Sequence, residues 1–260
     1  MKALLELQYL GSAYHGWQAQ KNAITVQKTL QQKVEELLKA PCAVTGCSRT
    51  DAGVHARQFF CMIESESLEG FPLPKLPAAL NSILPYDIAA KNCRAVAEDF
   101  HPRYSAVGKE YEYLIYNGVT RDPFWEGRAW MLPGRRIDAE RMNVEASKLV
   151  GKHDFTSFCA SGGKIEDKVR TVYSCRVTRQ GNLIAVRISA DGFLYNMVRI
   201  IVGTLCDSAS DGKEDCQTIL EGRDRSLAGR TAPAEGLYLN RVFYSQEELA
   251  GYIASSDTSE

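Results

Sequence analysis

Residues 2–10 alternate, with Ala3, Leu5, Leu7 and Tyr9 on one face, the period-2 pattern of a half-buried strand. Beyond the Gly- and aromatic-rich stretch 11–18, Thr25 offers a side-chain cap. Val26, Leu30, Val34, Leu37 and Leu38 then share one helical face as far as Pro41. Strands are expected at 42–48 and 57–64, separated by the polar connection 49–56. A short helix near 75–83 and a strand near 87–95 complete a first unit punctuated by Pro72, Pro74 and Pro77.

A second unit opens at Lys109, where Tyr111, Tyr113 and Ile115 fall on one face of a strand and Glu112, Leu114 and Tyr116 on the other. A helix over 138–151 is expected, from Asp138 as cap to Gly151 as stop. Strands at 168–179 and 183–190 flank Gln180-Gly181-Asn182, a hairpin signal, and a helix over 193–206 follows. Consecutive strands joined by short turns, mixed with helices, predict an α+β fold with mainly antiparallel sheets. The division is 1–105 and 106–245, with 246–260 as an acidic, frayed tail.

Composition narrows the class. The chain has 260 residues, 45% hydrophobic and 24% charged, ordinary for a soluble protein. No run approaches the roughly 18 apolar residues of a membrane span. Met1-Lys2-Ala3-Leu4 leads straight into a strand with no apolar signal core. The eight cysteines form no C-x-x-C and the four histidines no ligand pair, so neither a zinc site nor a disulfide framework is expected. Reduced cysteines without a signal segment point to the cytoplasm. Net charge is −1. Locally, 164–199 holds seven bases (Lys164, Lys168, Arg170, Arg176, Arg179, Arg187, Arg199) against three acids, which suits either an anionic partner or a solvated sheet face.

Four segments carry candidate chemistry. Arg49-Thr50-Asp51-Ala52-Gly53-Val54-His55-Ala56 is more polar than a minimal connection needs. It reads equally as an ordinary Asp–Gly turn or as the seat of an ionised Asp51 nucleophile. Arg199 lies among apolar helix neighbours and needs a partner, most simply a carboxylate, unless its stem snorkels. Asn196, Arg199 and Gly203 share a stripe expected to face a cleft. Tyr111 and Tyr113 are core residues or a surface for stacking a nucleobase. Gly11-Ser12-Ala13-Tyr14-His15-Gly16-Trp17-Gln18 is a loop packed by its own aromatics or part of a site.

Together with Lys109-x-Tyr111-x-Tyr113, Met197-Val198-Arg199 and Ala232-Pro233-x-x-Gly236-Leu237-Tyr238-Leu239, these segments resemble the tRNA pseudouridine synthase A family in order and spacing, from about residue 3 to 244. One departure is Ser48, where the family commonly has Gly before Arg-Thr-Asp. The resemblance implies two α+β domains joined across a central active-site cleft, with helices on the outer faces. It implies isomerisation of uridines 38, 39 and 40 of the tRNA anticodon stem-loop to pseudouridine, by a cytoplasmic homodimer using neither cofactor nor metal. Asp51 matches the essential aspartate, a nucleophile on sugar or base or the base of an elimination route. Arg199 matches the arginine that pairs with it. Tyr111 matches the tyrosine that stacks on the uracil and assists proton removal at C5, and Arg49 the residue that fills the space of the flipped nucleotide. A non-catalytic RNA-binding domain and a synthase for another RNA are the competing classes.

Overall fold

The computed structural model describes residues 1–162, 165–209 and 215–257. Lys164 of the basic stretch and residues 258–260 of the acidic tail lie outside them. In chain order the elements are β1 (Lys2–Tyr9), α1 (Val26–Leu38), β2 (Ala43–Gly46), β3 (His55–Glu64), α2 (Leu76–Asn81) and β4 (Ile88–Ala95). There follow β5 (Gly108–Tyr116), β6 (Trp130–Met131), α3 (Ala139–Ser147), β7 (Gly151–Asp154), β8 (Val169–Gln180) and β9 (Leu183–Ala190). The last are α4 (Met197–Ser208), α5 (Cys216–Gly222), β10 (Leu237–Phe243) and α6 (Gln246–Asp257). The class is α+β, as expected, with mainly antiparallel pairing; among the described residues β3–β10 and β5–β6 pair in parallel.

The first unit comprises Met1–Val107 and Tyr238–Ser245. Its strands run β4–β1–β3–β10. β1 takes one edge of β3, from Lys2 opposite Glu64 to Tyr9 opposite Ala56. The other edge is divided: β2 pairs with its far end, Ala43 opposite Glu64, and β10 with its start, Tyr238 opposite His55. The sequence reading placed residues 238–245 in the second unit; their pairing with β3 puts most of β10 in the first. α1 starts where expected, the Thr25 hydroxyl accepting from Lys28 N, and buries Val26, Leu30 and Val34.

The second unit comprises Gly108–Leu237 and the C-terminal helix. Its strands run β5–β9–β8–β7, and Gly181 turns the β8–β9 hairpin at φ 58°. Three expectations are corrected. α3 is capped by Asp138 but ends at Ser147, and Gly151, at φ 115°, opens β7 instead of stopping a helix. α4 begins at Met197 and not at 193, because Asn196 sits in the left-handed region at φ 58°. The acidic tail is not frayed over 246–257: it forms α6, with Leu249 buried and the Tyr252 hydroxyl donating to buried Glu110 Oε1 at 2.8 Å.

The basic stretch is partly structural. Arg179 donates to Asn117 Oδ1 and the Ile137 carbonyl, at 2.8 and 2.9 Å, and Arg187 Nε lies 2.8 Å from buried Glu112 Oε1. No helix among the described residues is long and apolar enough to cross a membrane.

Candidate active site

Asp51 lies half-buried in the connection between β2 and β3, and the backbone of the 11–18 loop sets that connection's course. Trp17 N donates to the Thr50 carbonyl (3.1 Å) and Gly53 N to the Tyr14 carbonyl (3.2 Å), one bond on either side of Asp51. Val54 N returns to the Asp51 carbonyl at 3.2 Å, closing a tight turn in which Gly53 takes φ 81°. L-residues avoid that region, so the Asp–Gly spacing is a requirement of the turn. Beneath it the Tyr9 hydroxyl and Thr50 Oγ1 meet at 2.9 Å in the core.

Two contacts leave no room for a side chain. A Cβ on Gly11 would sit 2.0 Å from the Val54 carbonyl oxygen, and one on Gly16 2.5 Å from that of Thr50. His55, fully buried, closes the loop: its Nδ1 accepts from Gly11 N at 2.9 Å, and its ring stacks on Tyr238 with centroids 4.6 Å apart. An Nδ1 that accepts carries no proton, so the other ring nitrogen holds it. Arg49 projects into solvent. Ser48 is absent from the positive-φ residues, so the family's usual glycine is not needed here for its backbone freedom.

Tyr111 and Arg199 belong to the second unit. Tyr111 stands opposite Ile188 on β5, buried, its ring meeting Phe193 edge-on at 4.9 Å. Two residues on, Tyr113 is fully buried and donates to the Pro233 carbonyl at 2.8 Å; burial pushes its phenol well above the usual range. Tyr113 is thus core, while Tyr111 lies nearer the surface.

α4 is apolar nearly all round, the mark of a helix enclosed by protein. Half-buried Arg199 is fixed from two directions: Nε donates to the Ala232 carbonyl at 2.7 Å and Nη1 to Asn196 Oδ1 at 2.8 Å. Ala232 N in turn donates to the Arg199 carbonyl at 3.0 Å. Asn196 therefore spends its side chain on Arg199 and not on capping the helix. One turn further, a Cβ on Gly203 would fall 1.9 Å from the Arg230 carbonyl oxygen. The stripe Asn196–Arg199–Gly203 exists as the spacing predicts, but its Gly203 end is covered by the 229–232 segment and does not open on a cleft.

The sequence reading passed over the excursion 117–137. Its ends are tied by Leu132 N to Tyr116 O and Gly134 N to Gly118 O, both 2.9 Å. Between these ties and Ile137, Arg121, Arg128, Arg135 and Arg136 are exposed, with Phe124 78% accessible on a short 3-10 turn. Four arginines against Asp122 and Glu126 in a loop with an exposed aromatic were the available signal.

The family model described as tRNA pseudouridine synthase matches residues 7–105 and 146–245. The chain belongs to that family. Among its relatives, a tRNA pseudouridine synthase A of Ruminiclostridium cellulolyticum is 42% identical over 246 residues, covering 94% of this chain and 99% of that protein. One of Clostridium acetobutylicum is 40% identical over 92% of this chain and 98% of its own. One of Staphylococcus aureus is 37% identical over 96% and 93% respectively. As a tRNA pseudouridine synthase the chain is an isomerase that converts uridine in tRNA to pseudouridine. Asp51 and Arg49 lie within the first matched stretch and Arg199 within the second; Tyr111 lies between the two.

Proposed function

We propose that this synthase isomerises uridines 38, 39 and 40 of the tRNA anticodon stem-loop, with Asp51 as the essential catalytic residue and a cytoplasmic homodimer as the working form. The N1–C1′ glycosidic bond breaks, the uracil turns, and a C5–C1′ bond forms. The C5 proton is lost and N1 gains one, so the product is an isomer of the substrate. The Asp51 carboxylate acts as nucleophile, or as base in an elimination route. Arg199 pairs with it, a planar guanidinium being suited to a carboxylate. Tyr111 stacks on the uracil, and its hydroxyl carries the C5 proton. Arg49 occupies the space left by the flipped nucleotide.

The observation that carries this reading is the loop geometry: main-chain bonds on both sides fix the backbone of Asp51. The clamped Arg199, the surface-proximal Tyr111 and the exposed arginines of 117–137 support it, the last as phosphate contacts. The test is incubation with unmodified tRNA followed by mapping of pseudouridine nucleotide by nucleotide. Product at 38–40 is expected; product only elsewhere assigns another target, and none on any RNA returns the chain to a binding role. Affinity for the RNA should fall steeply as salt rises, since phosphate contacts release counterions.

A further inference from the structure

Tyr86 is the most exposed large apolar side chain among the described residues, at 111% of its reference accessibility. An apolar side chain exposed singly is ordinary in itself, so what matters is how it is mounted. Tyr104, 76% accessible, lies 4.4 Å from the His101 ring and beneath Arg103. Tyr86 has its whole ring in water, yet its backbone is firmly placed. Pro85 fixes its own φ, and Ile88 N donates to the Pro85 carbonyl at 3.0 Å, closing the turn with Tyr86 at its tip.

That turn is fastened to the framework of Asp51. The Asp87 carbonyl accepts from Leu10 N at 2.9 Å, and the Asp87 carboxylate accepts from the Tyr14 hydroxyl at 2.7 Å. Burial and the Asp87 carboxylate raise the Tyr14 phenol well above its usual range, so this donor keeps its proton. Tyr14 is the residue whose carbonyl receives Gly53 N, and Gly11 beside Leu10 is the one pressed on Val54 and bonded to His55. One bonded network within the first unit therefore carries Asp51 at one place and a bare aromatic ring at another.

We infer that Tyr86 is a stacking platform for an unpaired base of the RNA, beside the catalytic loop; the inference rests on the function proposed above. Helical stems offer side chains only edges, phosphates and riboses, whereas loop bases can present a face. Stacking on an aromatic tolerates any base, so one such ring serves substrates of different sequence. A rigid mount means that the ring needs no ordering on binding.

The test uses the full chain and synthetic anticodon stem-loop RNAs carrying 2-aminopurine singly at each loop position, a base whose fluorescence is quenched by stacking. Tyr86→Ala is expected to weaken binding and raise KM by about ten-fold, with kcat changed by less than about two-fold. Quenching should be lost at one loop position, and Tyr86→Phe should behave as wild type on every count. Unchanged affinity and quenching at all positions in Tyr86→Ala would overturn the inference. So would a lowered Tm or an altered oligomeric mass in that variant, since either would mean that the ring packs on protein. If the wild-type chain forms no pseudouridine at 38–40, the proposed function fails. The fluorescence then still scores Tyr86: a position whose quenching depends on the ring upholds it, and none overturns it.

Discussion

The Asp51 loop of the first unit and the Arg199 helix of the second are held by opposite means. Around Asp51 the fixing groups are main-chain: Trp17 N on Thr50, Gly53 N on Tyr14, Val54 N on Asp51 itself. Around Arg199 they are side-chain: a guanidinium divided between the Ala232 carbonyl and Asn196. The first arrangement fixes Asp51 through its backbone, while the second uses part of the functional group as its own support. A substitution at Asp51 should therefore remove chemistry and spare structure, whereas one at Arg199 should disturb both.

The largest expected effect tests the first half of that statement. Asp51→Asn preserves shape and leaves every bond of the loop frame in place, but an amide is neither nucleophile nor base. Turnover should fall by at least about 10³-fold with Tm and RNA affinity near wild type; residual activity of a few per cent would transfer the chemistry to another residue. Arg199→Lys tests the second half. It keeps the charge but loses the planar fork, so a rate loss of roughly 10–100-fold should come with a Tm lowered by a few degrees. An unchanged Tm in that variant would mean that the bonds to Ala232 and Asn196 contribute nothing.

A matched pair of glycines sharpens the comparison. Gly11→Ala and Gly203→Ala each push a Cβ onto a backbone carbonyl, of Val54 and Arg230 respectively, which cannot swing aside as a side chain would. Each should cost about 1–3 kcal/mol, read as a Tm fall of roughly 2–10 °C. Both should also lower kcat/KM, because displacing a reacting group by even about 1 Å is costly. Equal stability losses with only Gly11→Ala inactive would show the Asp51 loop to be the more position-sensitive of the two regions.

The smallest effect concerns the thiols. Cys42, Cys47, Cys61 and Cys93 are buried in the first unit, and Cys159, Cys175, Cys206 and Cys216 in the second. Burial raises Cys42 and Cys93 to about 11 and Cys206 and Cys216 to about 12. A raised thiol pKa keeps the group protonated at pH 7–8, below the folded-state value, so the nucleophilic thiolate is scarce. Thiol reagents should leave native activity untouched and label only as each unit opens. Mass spectrometry of the order of labelling then reports which unit opens first, and rapid labelling of all eight in the native state would contradict their burial.

Local signals made much of this legible in the sequence. α1 was readable because its cap and its apolar face lie within 14 residues of each other. The β8–β9 hairpin was readable from one glycine, and the Asp51 loop from a motif whose spacing is itself the turn. What could not be read was set by partners distant in sequence. Asn196 in the left-handed region delays α4 by four residues, and its reason, the bond to Arg199, is a tertiary one. Gly203 looked like a stripe residue facing open space because the segment that covers it begins 26 residues later. α6 lacked a strong apolar face, and its attachment depends on Leu249 and on Tyr252 finding Glu110. A period of two shows which face of a strand is buried but never which strand lies beside it, so the parallel pairing of β10 with β3 was invisible.

That pairing has a consequence for the order in which the molecule can be made. His55, which closes the Asp51 loop, stacks on a residue that leaves the ribosome about 180 residues later. At ~5–20 residues per second, the start of β3 waits roughly 10–40 s for its neighbour. Throughout that interval the first unit is a nascent sheet with an open edge, and residues 108–237 of the second unit are synthesised before the first can be finished. A chain released between Ala56 and Tyr238 carries the whole Asp51 motif but lacks the ring on which His55 stacks. The ring that completes the floor of the Asp51 loop is therefore among the last parts of the chain to be synthesised.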